Sequence, residues 1–221
     1  MNEKNGRQED AEEFRAGLYN EVIVHMRQKH PELIDAAYDY FWEDEYPEDF
    51  LSGLPLELGF VNFEDWFICD YNTPETGFVT DLYLKETGQE EDKEKSAALG
   101  ALKRSFISLY DVKSAGGGGA ELEDALLGSA CSLKSVPLDG LEAGGLFATR
   151  IISLAGRHVM GACIYPFGGD PSVRQSVFDS IDSQFARYKK NKNPGGALEE
   201  FLKQESYIFN VIWTSGLYRK S

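Results

Sequence analysis

The sequence predicts an α+β protein: a helical, acidic N-terminal part over 1–104, a small antiparallel β barrel or sheet over 105–168, and C-terminal helices over 169–221. Three observations predict it. Apolar residues recur at spacings of three and four through the first part, which is the period of a half-buried helix. At Ser105 the texture changes to short alternating runs punctuated by glycine and proline, about ten residues apart, as in small antiparallel sheets. After Pro171 the helical spacing returns. The three parts are compatible with one compact body.

The elements follow in order. Ala11, Phe14, Leu18, Val22 and His25/Met26 predict a helix over 9–29, with Asp10, Glu12 and Glu13 near its start and Arg27 and Lys29 near its end, as the helix dipole favours. His30-Pro31 breaks it, because the residue before proline is pushed out of the α region. Pro31 suits the first turn of a second helix over 31–42, whose apolar face is Leu33, Ile34, Ala37, Tyr38 and Phe41. Gly53, Pro55 and Gly59 predict an irregular connection through residue 60. The aromatic run from Phe63 to Tyr71 is apolar enough to be buried, and its period fits helix and strand alike. Thr73-Pro74 marks a turn, and short helices follow at 77–86 and 89–104, the second with Ala98, Leu99 and Leu102 inward.

Strand-like runs lie at 106–112, 120–126, 130–136, 146–154 and 158–165. Gly116 to Gly119 form a hairpin turn. They do not form a phosphate cradle, because no Gly-Lys-Ser/Thr and no helix follow. Asp170 caps a helix that begins at Pro171 and carries the stripe Val173, Val177, Ile181 and Phe185. A last helix starts near Ala197, with Leu198, Phe201, Leu202, Tyr207, Ile208, Val211 and Ile212 available for packing.

Composition narrows the function. Aromatics make up 13% of the chain, which a disordered polymer would not carry, so the bulk folds. No run of about 18 apolar residues is present, and the polar start from Met1 to Arg7 has no apolar core behind it; neither a spanning helix nor a secretory signal is expected. Cys69, Cys131 and Cys163 are odd in number, widely spaced and set among apolar neighbours, so they read as reduced core thiols of a cytoplasmic protein.

The formal charge of −15 is unevenly placed. Residues 1–104 hold 25 Asp/Glu against 10 Lys/Arg, whereas 105–221 hold 12 of each. Between Lys29 and Lys85 there is no Lys or Arg, and 14 Asp/Glu lie there. Such a surface repels phosphate and anionic lipid and steers towards a basic partner.

No catalytic, cofactor or metal motif stands out. His25 and His30 are five apart, off one helical face, and no HExxH is present, so zinc is not expected. Ser129 lacks the second glycine of a nucleophile elbow. Cys131 would need His158 beside it to act as a nucleophile, and nothing local supports that. The acids Asp39, Glu43, Asp44, Glu45, Glu48 and Asp49 lack the alternation and central glycine of a calcium loop. Arg187, Lys189, Lys190 and Lys192 around Tyr188 could touch nucleic acid, but cations also belong at a helix C-terminus, and the overall charge opposes such contact.

Three segments carry a resemblance. Phe63 to Tyr71 resembles an F-x-x-W-F-x-x-D-Y stretch, and Ser105 to Val112 resembles an S-x-x-S-L-Y-E-V strand. Leu122 to Gly128 with Leu141 to Arg150 resembles L-x-D-L-L-T-G and L-x-x-G-D-x-L-x-x-R. Together, over about 60–165, they are similar to the body of bacterial proteins of unknown function that often carry a SEC-C zinc tail. Gly145 stands where that family has an acid, and the Cys/His tail is missing, so no metal carries over. The resemblance implies a helical-then-β order and no defined activity.

The reading that results is a non-enzymatic interaction or regulatory module. Its expected surface is Tyr38, Trp42, Glu43, Asp44, Glu45, Tyr46, Glu48, Asp49 and Phe50, and its expected partner a protein with a basic face. The alternatives are an enzyme using carboxylates, which needs titratable groups converging in a cavity, and a nucleic-acid accessory using the β unit and 187–192.

Overall fold

The computed structural model describes residues 3–116, 119–134, 142–154 and 156–218, with the side chains of 3–10, 134, 217 and 218 left out of the description. The third predicted strand therefore lies partly outside the described residues, at 135–136, as do Gly117 and Gly118 of the predicted turn. The chain divides into two compact units. The first holds 1–105 and 150–163, and the second holds 106–149 and 164–221.

In the first unit, α1 (Glu3–Lys29) buries Leu18, Val22 and Met26 of the expected stripe, joined by Tyr19 and Ile23, while Ala11 and Phe14 are only half-buried. It ends where the N–H of His30 donates to Met26 at 2.8 Å, and His30 then serves as the N-cap of α2 (Pro31–Phe41). A single 3-10 turn follows at Pro47–Asp49.

Helix α3 (Leu54–Cys69) departs from expectation. The glycine- and proline-rich stretch is its first two turns instead of an irregular connection. Pro55 sits in the first turn, where a missing N–H costs nothing. Gly59 lies inside the helix because the indole of Trp42 covers it: a Cβ there would stand 2.9 Å from that ring. The aromatic run Phe63 to Cys69 resolves as helix, with Phe41, Phe63, Trp66 and Phe67 in contact at ring separations from 5.2 to 6.4 Å.

Around Thr73-Pro74 a small hairpin pairs β1 (Asn72–Thr73) with β2 (Gly77–Phe78). It leads into α4 (Val79–Thr87), which Gly88 closes in the left-handed conformation that glycine adopts without strain. Helix α5 (Lys93–Arg104) starts at Asp92, whose carboxylate accepts from the N–H groups of Glu94 and Lys95 at 3.1 Å each.

A five-stranded antiparallel sheet follows: β3 (Ile107–Gly116), β4 (Gly119–Asp124), β5 (Ala130–Lys134), β6 (Leu146–Leu154) and β7 (Arg157–Gly168). Its order is β5-β4-β3-β6-β7, so β5 and β7 are its two edges. The sheet is open, and the barrel offered above as one form of the β unit does not close. The division between the units falls within β6 and β7.

The second unit adds α6 (Pro171–Asn191), capped by Asp170, then α7 (Leu198–Gln204) and α8 (Ile208–Tyr218). The single last helix expected from the sequence is thus two. The break falls at 205–207, where Glu205 and Ser206 are buried and the N–H of Ile208 returns to the Glu205 carbonyl at 3.0 Å. Tyr165 of β7 packs against Phe209 and Trp213 of α8, and Phe201 of α7 lies between Phe185 and Tyr188 of α6. Among the described residues, no helix is long and apolar enough to cross a membrane.

Candidate functional site

The expected surface starts where α2 ends. Glu43 and Asp44 both hold positive φ, at 55° and 62°, a conformation that costs a side-chain-bearing residue roughly 1–3 kcal/mol. The turn is held by the N–H of Asp44 donating to Asp39 at 2.8 Å and that of Glu45 to Trp42 at 3.0 Å. Glu43, Asp44, Glu45, Glu48 and Asp49 are all exposed. The aromatic residues divide. Tyr46 is 68% exposed, whereas Tyr38 and Phe50 are half-buried and Trp42 is buried. Trp42 packs on Phe41, Phe50 and Gly59, so its ring supports the turn from beneath.

Tyr40, outside the expected set, is 52% exposed and stacks on Trp66 at 5.9 Å. Phe60 and Val61 of α3 are also exposed. The half-buried Tyr38 hydroxyl has its pKa pushed up to about 12 by burial and then by nearby Glu48.

The acids of the basic-free stretch do not all face water. Asp65 and Asp70 turn inward, where they hold Arg150, itself fully buried. The Arg150 Nε donates to Asp65 Oδ2 at 2.9 Å, and its terminal nitrogens donate to both oxygens of Asp70 and, at 2.7 Å, to the Ser105 carbonyl. The other oxygen of Asp65 accepts from the Tyr19 hydroxyl at 2.7 Å and from the N–H of Ala162 at 2.9 Å. Burial alone would raise the Asp65 carboxyl, but the Arg150 guanidinium and the Tyr19 hydroxyl outweigh it and hold it below the usual carboxylate range. Burial pushes the Tyr19 hydroxyl and the Cys163 thiol up, and the Asp65 charge adds to both.

With its donors engaged, Arg150 is a tie between segments far apart in sequence. Cys163 beside it stays a neutral thiol. Sequence reasoning missed this centre, although Asp70, Ser105 and Arg150 are among the residues that carry the resemblance above. A lone arginine in an apolar strand, Leu146 to Leu154, was the available signal.

His25 and His30 are brought together after all. His30 is not on α1; as the cap of α2 it swings its ring to within 6.5 Å of His25. Both Nε2 atoms address Glu86 of α4, at 2.7 and 2.9 Å, and these contacts lower the Glu86 pKa. Among the described residues, no group of three or more His, Cys, Asp or Glu is arranged to hold a metal ion.

The remaining candidates are placed as follows. Cys131 sits half-buried on edge strand β5, its thiol raised by burial and by Glu121, while His158 is on the opposite edge strand, β7. Tyr188 is 3% exposed and its hydroxyl donates to Gln204, so its ring presents no face for a base. Lys192 pairs with Glu205 at 2.7 Å, and Lys189 lies over the Phe185 ring. A cavity of about 480 Å³ between α6 and α8 is lined by serines, Gln184 and apolar side chains such as Trp213, with no acid or base among them. No family model, no curated protein and no solved structure matches the chain.

Proposed function

We propose that this protein is a non-enzymatic interaction or regulatory module that docks a basic protein segment on the acidic, aromatic turn between α2 and α3. The observation that carries the reading is the exposure of Tyr40 and Tyr46, at 52% and 68%, beside five exposed acids in a stretch without Lys or Arg. Tyrosine at a binding surface contributes large contact area at low entropic cost, and its ring takes an arginine guanidinium by cation–π contact. The acids steer the approach and fix the orientation. The strained pair Glu43 and Asp44, seated on the buried Trp42, presents those acids on a fixed base instead of a loose loop.

The test is an affinity capture from the native host, with recovered proteins re-tested pairwise as purified components. The reading expects a partner that binds at low salt, is released at high salt, and is lost when Glu43, Asp44, Glu45, Glu48 and Asp49 are reversed to lysine. Tyr46→Ala alone should weaken it about tenfold, as for a central aromatic contact. Binding that survives both charge reversal and Tyr46→Ala places the docking surface elsewhere and defeats the reading.

A further inference from the structure

The first unit holds a cavity of about 650 Å³, within the roughly 300–1,000 Å³ typical of small-molecule sites. Its floor is one face of α5, running from Glu94 through Ala97, Ala98 and Ala101 to Arg104 at helical spacing. Phe14 of α1 and Leu154 of β6 wall it with apolar surface, and Arg157, at the start of β7, joins Arg104 in the lining. Among the described residues neither arginine has an acidic partner within ion-pair distance, in a part of the chain that carries 25 acids. Arg104 alone would be explained by its place in the last turn of α5, where the helix dipole favours a cation. Arg157 comes from the β6–β7 hairpin and has no such reason.

The one acid of the lining, Glu94, sits ten residues before Arg104, about 15 Å away along the helix axis. The lining therefore holds two cations and one acid, with Glu94 and Arg104 at opposite ends of the α5 floor and small side chains between them.

The geometry points to a binding site for an amphipathic organic anion, a carboxylate on an extended apolar body. Its carboxylate is taken by the Arg104 and Arg157 guanidiniums, whose planar forks suit a carboxylate, and its apolar body lies along the alanine floor against Phe14 and Leu154. The alanines matter because larger side chains at 97, 98 or 101 would fill the trough. This site is separate from the acidic turn and does not depend on it.

Decanoate is the probe, titrated calorimetrically into the full chain at low salt, with decanol as the neutral comparison. The expected result is saturable binding of one decanoate per chain and much weaker binding of decanol. Arg104→Gln and Arg157→Gln should each weaken decanoate about tenfold, the loss expected for a charge-assisted hydrogen bond. Ala101→Phe should abolish binding by filling the trough, with circular dichroism reporting that the variant is folded. No saturable decanoate binding to the unaltered chain overturns the proposal. So does equal affinity for decanol, or glutamine variants that bind as tightly as the parent.

Discussion

At the scale of single residues, Arg150 decides most. A guanidinium fully withdrawn from water survives only if its donors are met, and Asp65, Asp70 and Ser105 meet them. Replacing it by methionine preserves much of the volume but strands two buried carboxylates. Arg150→Met should cost roughly 3–5 kcal/mol in urea unfolding. The centre also makes stability depend on acid. The Asp65 carboxyl has a lower pKa folded than unfolded, so its stabilisation is complete above the ordinary carboxylate range and is lost as pH falls through the folded value. The midpoint urea concentration should therefore fall steeply below about pH 4, and Asp65→Asn should flatten that slope. Gly161 lies against the same centre. A Cβ there would stand 2.8 Å from the Arg150 Cβ and 3.0 Å from an Asp65 oxygen, so Gly161→Ala should destabilise by about 1–3 kcal/mol.

At the scale of elements, the helix boundaries follow from local chemistry where a cap is present. Asp92 and Asp170 each accept backbone N–H groups at the start of α5 and α6. Asp92→Ala and Asp170→Ala should each lower stability by about 1 kcal/mol, read as a shift in thermal midpoint. Helix α6 was legible because cap, Pro171 and apolar stripe all agree. The start of α3 was not, because Gly53, Pro55 and Gly59 are each ordinary loop residues in isolation. Only the ring of Trp42 lying on Gly59 explains a glycine inside a helix. The break between α7 and α8 was illegible for a related reason. The apolar spacing runs on through 205–207, and the buried Glu205, with Lys192 on its carboxylate, marks the interruption.

At the scale of the whole molecule, an excess of 15 negative charges disfavours the compact state through self-repulsion. That repulsion shortens with the screening length, which falls from about 30 Å at 0.01 M to about 8 Å at 0.15 M salt. The thermal midpoint should accordingly rise over that range; a midpoint that falls would mean the surface ion pairs outweigh the repulsion. The residues of the candidate surface were readable in part for the same reason: charge is a property of composition and survives any fold. What lay beyond reading was which aromatic faces water. Tyr38, Tyr40, Trp42 and Tyr46 are alike in sequence, and only packing sends Trp42 inward while Tyr40 and Tyr46 stay exposed. The α+β class, the five strands and the acidic bias were determined by the sequence alone, because periodicity and charge act over a few neighbouring residues. The pairing of Arg150 with Asp65 and Asp70, the meeting of His25 and His30 at Glu86, and the Arg104–Arg157 cavity were decided only by tertiary structure. Each joins residues far apart in the chain, and no local rule governs which distant segments come together.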